Sequence, residues 1–425
     1  MRSILLTTLL WLSAYGMSIF HGPNDYQWTS VRTWYTDRPI DYSLVGAKRI
    51  EYGIYNSFLL VPIPTDLREI IEEVLQFYSN RTCLRFREVT SERYLDQGAT
   101  KKQKEKIPFS RRSGGNYTLE ILSVSDYEGR SFPICSSRWP GMIEQFDDYI
   151  EEGNRLFLGT KCHSFYTVAH EVAHALGLYH THERSDRDQY ITLSPSIQTE
   201  LPKQNTSDWV PYDYGSMMHY PASNFRQITT KDPKKQFLIG TRTGPAQSDL
   251  LLLNKLYKCF DKCGSIRIQC FNGGFQNPNN CFTCVCPGGF GSKFCETRAV
   301  DTCGATVFAE DKWKILKGDL TQKVPANKRV PPSTLMCHWH LKAPPGHKIE
   351  LVIKKIGYCK EKLTCKWGGL EIKLGDFGQG GYKFCCDEQL RTHRRFLSKG
   401  SLIQLTLDVV VGEQFFELEY RRAVL

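Results

Sequence analysis

From Leu67 the apolar residues Ile70, Ile71, Val74, Leu75 and Tyr78 recur three and four positions apart, which on a 3.6-residue turn gives one buried face. Pro64-Thr65-Asp66 ahead of them is a helix start signal, so the pattern predicts that the large N-terminal part of the chain begins with a helix. Residues 87–115 have no apolar period and carry Lys101, Lys102, Lys104, Lys106, Arg111 and Arg112. They read as a surface loop, with a polyanion patch or a processing site at Arg111-Arg112 as the functional alternatives. Residues 117–124 are rich in β-forming side chains and alternate in part, which predicts a strand; residues 156–158 predict another. Residues 166–176 are helical in composition. Near the C terminus the runs 347–353, 370–374, 402–411 and 415–420 are short and alternating, the pattern of a β-sandwich. The expected fold class is α+β, ending in an all-β block.

Cysteine spacing divides the chain. Of 16 cysteines, Cys83, Cys135, Cys162 and Cys259 are widely spread. Cys263, Cys270, Cys281, Cys284, Cys286 and Cys295 fall within 33 residues, in a stretch too poor in apolar side chains to build a core. Cys303, Cys337, Cys359, Cys365, Cys385 and Cys386 follow. Each group is even, so each block can close its own bridges. Three domains also suit 425 residues at roughly 150 per domain.

This cysteine usage belongs outside the reducing cytosol. Met1-Arg2, an apolar run from Ile4 to Leu12 and Ala14-Tyr15-Gly16 read as a signal peptide over residues 1–16. The apolar run is far below the ~20 residues a membrane span needs, and no later stretch reaches that length. A secreted protein without a membrane span is expected. Sequons at Asn80, Asn116 and Asn205 are glycosylation candidates in that compartment.

Charge is uneven. The chain carries 55 Lys and Arg against 45 Asp and Glu, and residues 299–425 alone carry 21 against 14. A basic end block points to acidic partners such as matrix polyanions. No nucleic-acid motif accompanies the charge, so nucleic acid is not an expected partner.

The strongest chemical signal is the run FYTVAHEVAHALGLYHTHERSDRD from Phe165 to Asp188. His170 and His174 are four apart on the expected helix and project from one face. Gly177 can take positive φ, end the helix and reverse the chain, bringing His180 back as a third ligand. Three imidazoles and an open position make a catalytic zinc site. Glu171 lies beside the ligands and can act as general base, then pass the proton to the leaving amine. A buried helix with incidental histidines is the plain alternative, and the full HExxHxxGxxH spacing argues against it.

With Tyr214 to Tyr220, YGSMMHY, the sequence resembles the astacin family of zinc endopeptidases, metzincins of nematode type. The family pattern is matched at His170, Glu171, His174, Gly177, His180, Arg184, Asp186, Arg187 and Asp188, and its Met-turn at Ser216, Met218, His219 and Tyr220. Thr181 stands where the family has a glutamate. The resemblance implies a two-lobed catalytic domain over residues 34–260, one zinc ion, Met218 as an apolar floor, and Tyr220 as an extra ligand and oxyanion donor. It implies bridges Cys83–Cys259 and Cys135–Cys162. Arg242, in Ile239-Gly240-Thr241-Arg242, resembles a family arginine that lines the pocket after the scissile bond, which implies acidic residues there.

Residues 261–298 resemble an EGF-like module, implying Cys263–Cys281, Cys270–Cys284 and Cys286–Cys295; the spacing alone leaves 15 connectivities open. Residues 299–425 resemble a CUB domain, implying Cys303–Cys337. Cys359 and Cys365 then pair with Cys385 and Cys386 in an order left open. Gly368 stands where many CUB domains have a calcium-binding Asp, so no calcium is expected. Residues 17–33 leave room for a short or degenerate pro-region only: Phe20-His21-Gly22 resembles the family's latency motif, but Pro23 holds its Asp position and Asp25 comes two residues late.

The expected function is secreted zinc-dependent hydrolysis of peptide bonds in extracellular proteins. One rival is a matrix or binding protein whose protease domain is inert, and another is a zinc hydrolase for other substrates. The strand at 117–124, expected at a sheet edge where an extended peptide can pair, favours peptides.

Overall fold

The computed structural model describes residues 39–45, 49–52, 56–61, 63–88, 118–125, 135–137, 155–159, 162–198, 201–204, 206, 209–222, 227–300, 303–323, 334–357, 364–391 and 393–423. The expected signal peptide, pro-region with Asp25, Asn116, Asn205 and Cys359 lie outside them, as does the expected basic loop beyond Glu88; its first two residues, Arg87 and Glu88, belong to a strand instead. The packing divides the chain into two units, Met1–Leu178 and Tyr179–Leu425.

Three strands, not a helix, open the described part of the first unit: β1 (Ile40–Val45), β2 (Arg49–Tyr52) and β3 (Asn56–Val61). They are only four to six residues long: Ile40 to Leu44 and Arg49 to Tyr52 do alternate apolar with polar, a pattern that sequence reasoning did not single out, while β3 has no alternation. Helix α1 (Thr65–Arg81) follows where predicted and buries Leu67, Ile71, Val74, Leu75 and Tyr78; Ile70, also expected inside, sits at the margin of that face. Next come β4 (Phe86–Glu88), β5 (Thr118–Ser125), β6 (Cys135–Ser137), β7 (Arg155–Gly159) and helix α2 (Phe165–Ala175).

The sheet runs β2-β3-β5-β1-β4, with β7 on β5 and β6 on β7. This corrects the edge placement of residues 117–124. Strand β5 pairs in parallel with β1 through residues 118–122 and with β7 through residues 120–124, so its backbone is occupied on both sides. Its fully buried Ile121 and Leu122 are those of an interior strand. Strand β6 pairs with β7 alone among the described residues, antiparallel.

Helix α2 packs on α1: Tyr78 Oη donates to the Ala169 carbonyl at 2.8 Å and Phe77 meets Phe165 edge-on. The Cys135–Cys162 bridge, across 27 residues, ties β6 to the start of α2. Closing a loop of that length contributes about 3–4 kcal/mol through the unfolded chain.

The second unit starts with short irregular elements around β8 (Ile191–Leu193), α3 (Pro195–Gln198) and β9 (Ile228–Thr230). Helix α4 (Gln247–Leu256) follows. A disulfide-rich stretch holds β10 (Phe275–Gln276), β11 (Cys284–Val285), β12 (Phe290–Gly291) and β13 (Thr297–Arg298). Its bridges are Cys263–Cys281, Cys270–Cys284 and Cys286–Cys295.

The remainder is a sandwich of β14 (Thr306–Phe308), β15 (Lys314–Gln322), β16 (Leu335–Lys342), β17 (Ile349–Ile356), β18 (Gly368–Lys373), β19 (Tyr382–Phe384), β20 (Arg395–Leu397), β21 (Leu402–Val409) and β22 (Gly412–Arg422). One sheet is β14-β16-β21-β18-β19 and the other β15-β22-β17-β20. Trp339, Leu341, Leu351, Ile353, Leu407 and Phe416 fill the space between them. The bridges Cys303–Cys337 and Cys365–Cys385 are formed, the second settling one pairing the spacing left open. Cys83, Cys259 and Cys386 are each in a disulfide as well.

Candidate metal centre

Local sequence explains why the central helix ends where it does. Ser164 caps α2 by accepting from the Thr167 amide at 3.3 Å. Tyr166 through Ala175 are all buried, and Ala169, Ala173 and Ala175 are small enough to let neighbouring elements approach. Gly177 then takes φ +100°. Its amide donates to the His174 carbonyl at 2.8 Å, and the Leu178 amide donates to the Ala173 carbonyl at 2.9 Å. These paired bonds are a Schellman closure, for which a left-handed glycine is the best residue.

The same closure orients a ligand. His174 Nδ1 lies 2.6 Å from the Leu178 carbonyl. A carbonyl only accepts, so Nδ1 carries the proton and Nε2 presents its lone pair. His174 Nε2 is 3.1 Å from His170 Nε2. Two nitrogens each ~2.0–2.1 Å from one tetrahedral zinc would lie about 3.3 Å apart, so the convergence fits that ion. Ligand atoms of His170, His174 and His180 lie within 4.8 Å of one another, and all three residues are buried. Three buried imidazoles whose nitrogens converge are a zinc donor set, so the residues present fit the metal.

Glu171 is 1% exposed and its Oε2 accepts from the Ser137 amide at 2.7 Å. Ser137 reaches it because Cys135, two residues earlier, is bonded to Cys162 just ahead of the helix. Burial pushes the Glu171 carboxyl up to about 8, against the lowering effect of the Ser137 amide.

His180 continues into a short 3-10 turn, Thr181–Glu183. Glu183 Oε2 accepts from the His180 amide at 3.3 Å and lies 3.4 Å from its Nδ1. Tyr220 is half-buried, its ring 4.4 Å from that of His180 and 4.1 Å from that of His182. Met218 is 1% exposed; its carbonyl accepts from the Thr181 amide at 2.9 Å. Thr181, in place of the glutamate, donates through Oγ1 to Ser216 Oγ at 2.8 Å. Arg242 is partly buried, and its carbonyl accepts from Thr334 Oγ1 at 3.3 Å.

Two carboxylates that sequence reasoning did not single out hold the turn around Met218. Asp249 accepts from Ser216 Oγ at 2.6 Å and from the Met217 and Ala246 amides at 3.0 and 2.9 Å. Asp213 accepts from the Gly215 amide at 2.8 Å and from Ser248 Oγ at 2.6 Å. In the sequence, Asp249 is an ordinary acid in a first helical turn and Asp213 is a loop aspartate.

Comparison with known proteins agrees with this centre. The profile described as Astacin, a peptidase family, matches residues 149–258. Zinc metalloproteinase nas-27 of Caenorhabditis elegans is 31% identical over 388 residues, covering 84% of this chain and 81% of the relative. Zinc metalloproteinase nas-29 of the same organism is 35% identical over 266 residues, covering 58% of this chain and 48% of the relative. Among solved structures, the hatching enzyme zinc-protease High choriolytic enzyme 1 of Oryzias latipes aligns with 57% of this chain and 99% of its own, at 22% identity and a TM-score of 0.35. Since identity to the first relative runs through most of both chains, this chain belongs to the astacin family, and the metal its three histidines serve is zinc.

Proposed function

We propose that the chain is a secreted endopeptidase that hydrolyses extracellular proteins with Glu171 as general base. The observation that carries this is one buried carboxyl, Glu171, lying next in sequence to one of three converging imidazoles. Zinc, when bound there, supplies a Lewis acid and lowers the pKa of a bound water from 15.7 toward about 7. Ser137 holds Glu171 Oε2, which leaves Oε1 to take a water's proton and later deliver it to the leaving amine. A carboxyl raised toward neutrality suits both transfers, while a neighbouring dication acts in the lowering direction. Tyr220, beside His180, donates from its phenol to the developing oxyanion. Strand β6, the last of the described strands on its side of the sheet, receives an extended peptide in the role first expected of β5. Arg242 reads an acidic side chain after the scissile bond.

The remaining parts follow the family resemblance. Residues 1–16 are the signal peptide, 17–33 a short pro-region and 34–260 the protease domain, with Cys83 bridged to Cys259. Residues 261–298 form an EGF-like module, supported by the three bridges found there. Residues 299–425 form a CUB domain, supported by the two-sheet sandwich. Asn80 is exposed in the last turn of α1, while Thr82 of its sequon is buried with Oγ1 donating to the Tyr78 carbonyl, so glycosylation there precedes folding. The basic residues of the sandwich serve matrix polyanions.

The test is Glu171→Gln in the full chain. Zinc content and fold should match the parent, while caseinolysis falls ~10²–10⁴-fold. Unchanged turnover in that variant would remove Glu171 from the chemistry, and no zinc-dependent turnover in the parent would favour the inert-domain reading.

A further inference from the structure

Eight residues of the sandwich, Leu374-Gly375-Asp376-Phe377-Gly378-Gln379-Gly380-Gly381, connect β18 to β19 and include four glycines. They reach away from the sandwich to the loop that carries Met218. The Gly380 amide donates to Asp213 Oδ1 at 2.9 Å, the same oxygen that accepts from Gly215. Lys235 Nζ donates to the Gly380 and Gly381 carbonyls at 2.6 and 2.8 Å, and lies 4.5 Å from the Tyr382 ring centroid. Glu371 Oε1 accepts from the Gly381 amide at 2.6 Å, fixing the loop from its own side.

The approach is closer than a side chain permits. A Cβ on Gly380 would stand 2.8 Å from the Gly215 Cα and 2.7 Å from Leu238 Cδ2. At the other end of the loop, a Cβ on Gly273 would stand 2.3 Å from the Gly378 amide nitrogen, so the disulfide-rich stretch is met in the same way. Phe377 packs on Phe290 of that stretch, ring centroids 5.0 Å apart. Backbone on backbone, with a buried aspartate shared between two loops, is a fitted contact.

From Asp213 the bonds continue without a gap. Asp213 holds Gly215 and Ser248; Asp249, next to Ser248, holds Ser216 and Met217; and the Met218 carbonyl accepts from Thr181, the residue after His180. We infer that the sandwich acts as a positioning element of the metal centre, with Lys235, Asp213 and Gly380 clamping the Met218 turn and so fixing the support of His180. In this role the C-terminal domain does more than carry the protease to a partner. Contiguity alone does not establish coupling, so the role must be read at the far end of the chain of bonds.

The experiment compares full-length, zinc-loaded parent with Lys235→Ala, Lys235→Arg and Gly380→Val. Three readouts are taken: amide exchange at Gly215 to Met218, the rate of zinc loss to a chelator, and kcat and KM on a short peptide. Lys235→Ala should speed exchange and zinc loss about tenfold and lower kcat with KM unchanged, and Lys235→Arg should restore most of each. Gly380→Val should do the same or more. Exchange and zinc loss within about twofold of the parent for Lys235→Ala would overturn the inference, as would faster exchange with neither faster zinc loss nor lower kcat. The turnover readout rests on the peptidase reading. A parent without turnover would sink that reading alone, because exchange and zinc loss still judge the clamp.

Discussion

Asp249 sits in an environment that its sequence context did not imply. It is buried, and burial raises its carboxyl from 3.8 to about 6 despite three donors. Between those values the folded state binds more protons than the unfolded chain, so stability falls as pH rises. The contribution is complete below about pH 4 and lost as pH passes through 6, at most about 3 kcal/mol. Asp249→Asn removes the titration. Its amide oxygen can still accept from the Met217 and Ala246 amides, and its amide nitrogen can donate to Ser216. Melting temperatures across pH 4–8 should therefore show the variant gaining on the parent as pH rises. A difference independent of pH would show that the carboxyl is not raised. The ligands were legible from spacing because three histidines must converge on one ion. Asp249 and Asp213 were not, because an aspartate that will be buried in a bond network has the same letter as one in water.

At the scale of elements, α2 and the turn after it form one device. Gly177 closes the helix, and the Leu178 carbonyl that the closure positions then holds His174. A side chain at φ +100° costs about 1–2 kcal/mol, and relief by unwinding the last turn moves that carbonyl and the approach to His180. Gly177→Ala should weaken zinc affinity tenfold or more in a chelator competition. Gly400→Ala, where a Cβ meets nothing within 4 Å, should leave it unchanged. Equal zinc affinity in both variants would deny the turn its role. Helix α1 was legible because five of its apolar residues share a face, and the sandwich because strands such as β21 carry long alternating or apolar runs. Strands β1 to β3 were missed because four to six residues give a short signal, although β1 and β2 do alternate. The edge position given to β5 failed for a different reason: its parallel partners, β1 and β7, come from distant segments, and no local pattern reports which neighbours a strand will find.

For the whole molecule, the last block keeps its surplus of positive charge, because its ion pairs cancel bases and acids one for one. On the β15-β22-β17-β20 sheet, Lys317 pairs with Glu417 at 2.9 Å, Lys354 with Glu419 at 2.8 Å and Arg421 with Glu350 at 2.9 Å. Exposed pairs of this kind add little stability. Cohesion between the sandwich and the rest of its unit rests elsewhere. The bridges described from Cys263 onward each close on their own side of residue 299. The junction includes the clamp loop, the contact of Phe237 with Phe384, Phe290 against His340, Thr334 Oγ1 donating to the Arg242 carbonyl, and Gln404 Nε2 donating to the Gly288 carbonyl at 2.7 Å. A protease recognition sequence inserted after Val300, which is fully exposed, would cut the chain there without touching those contacts. A short tether supplies an effective concentration in the millimolar range, so cutting it leaves the interface to hold by its own affinity. After cleavage the two fragments should co-elute in gel filtration at about 1 μM, an affinity of about −8 kcal/mol. Lys235→Ala should separate them at the same concentration. If the parent fragments elute apart, the sandwich is held by its tether, and the glycine contacts are too weak to position anything.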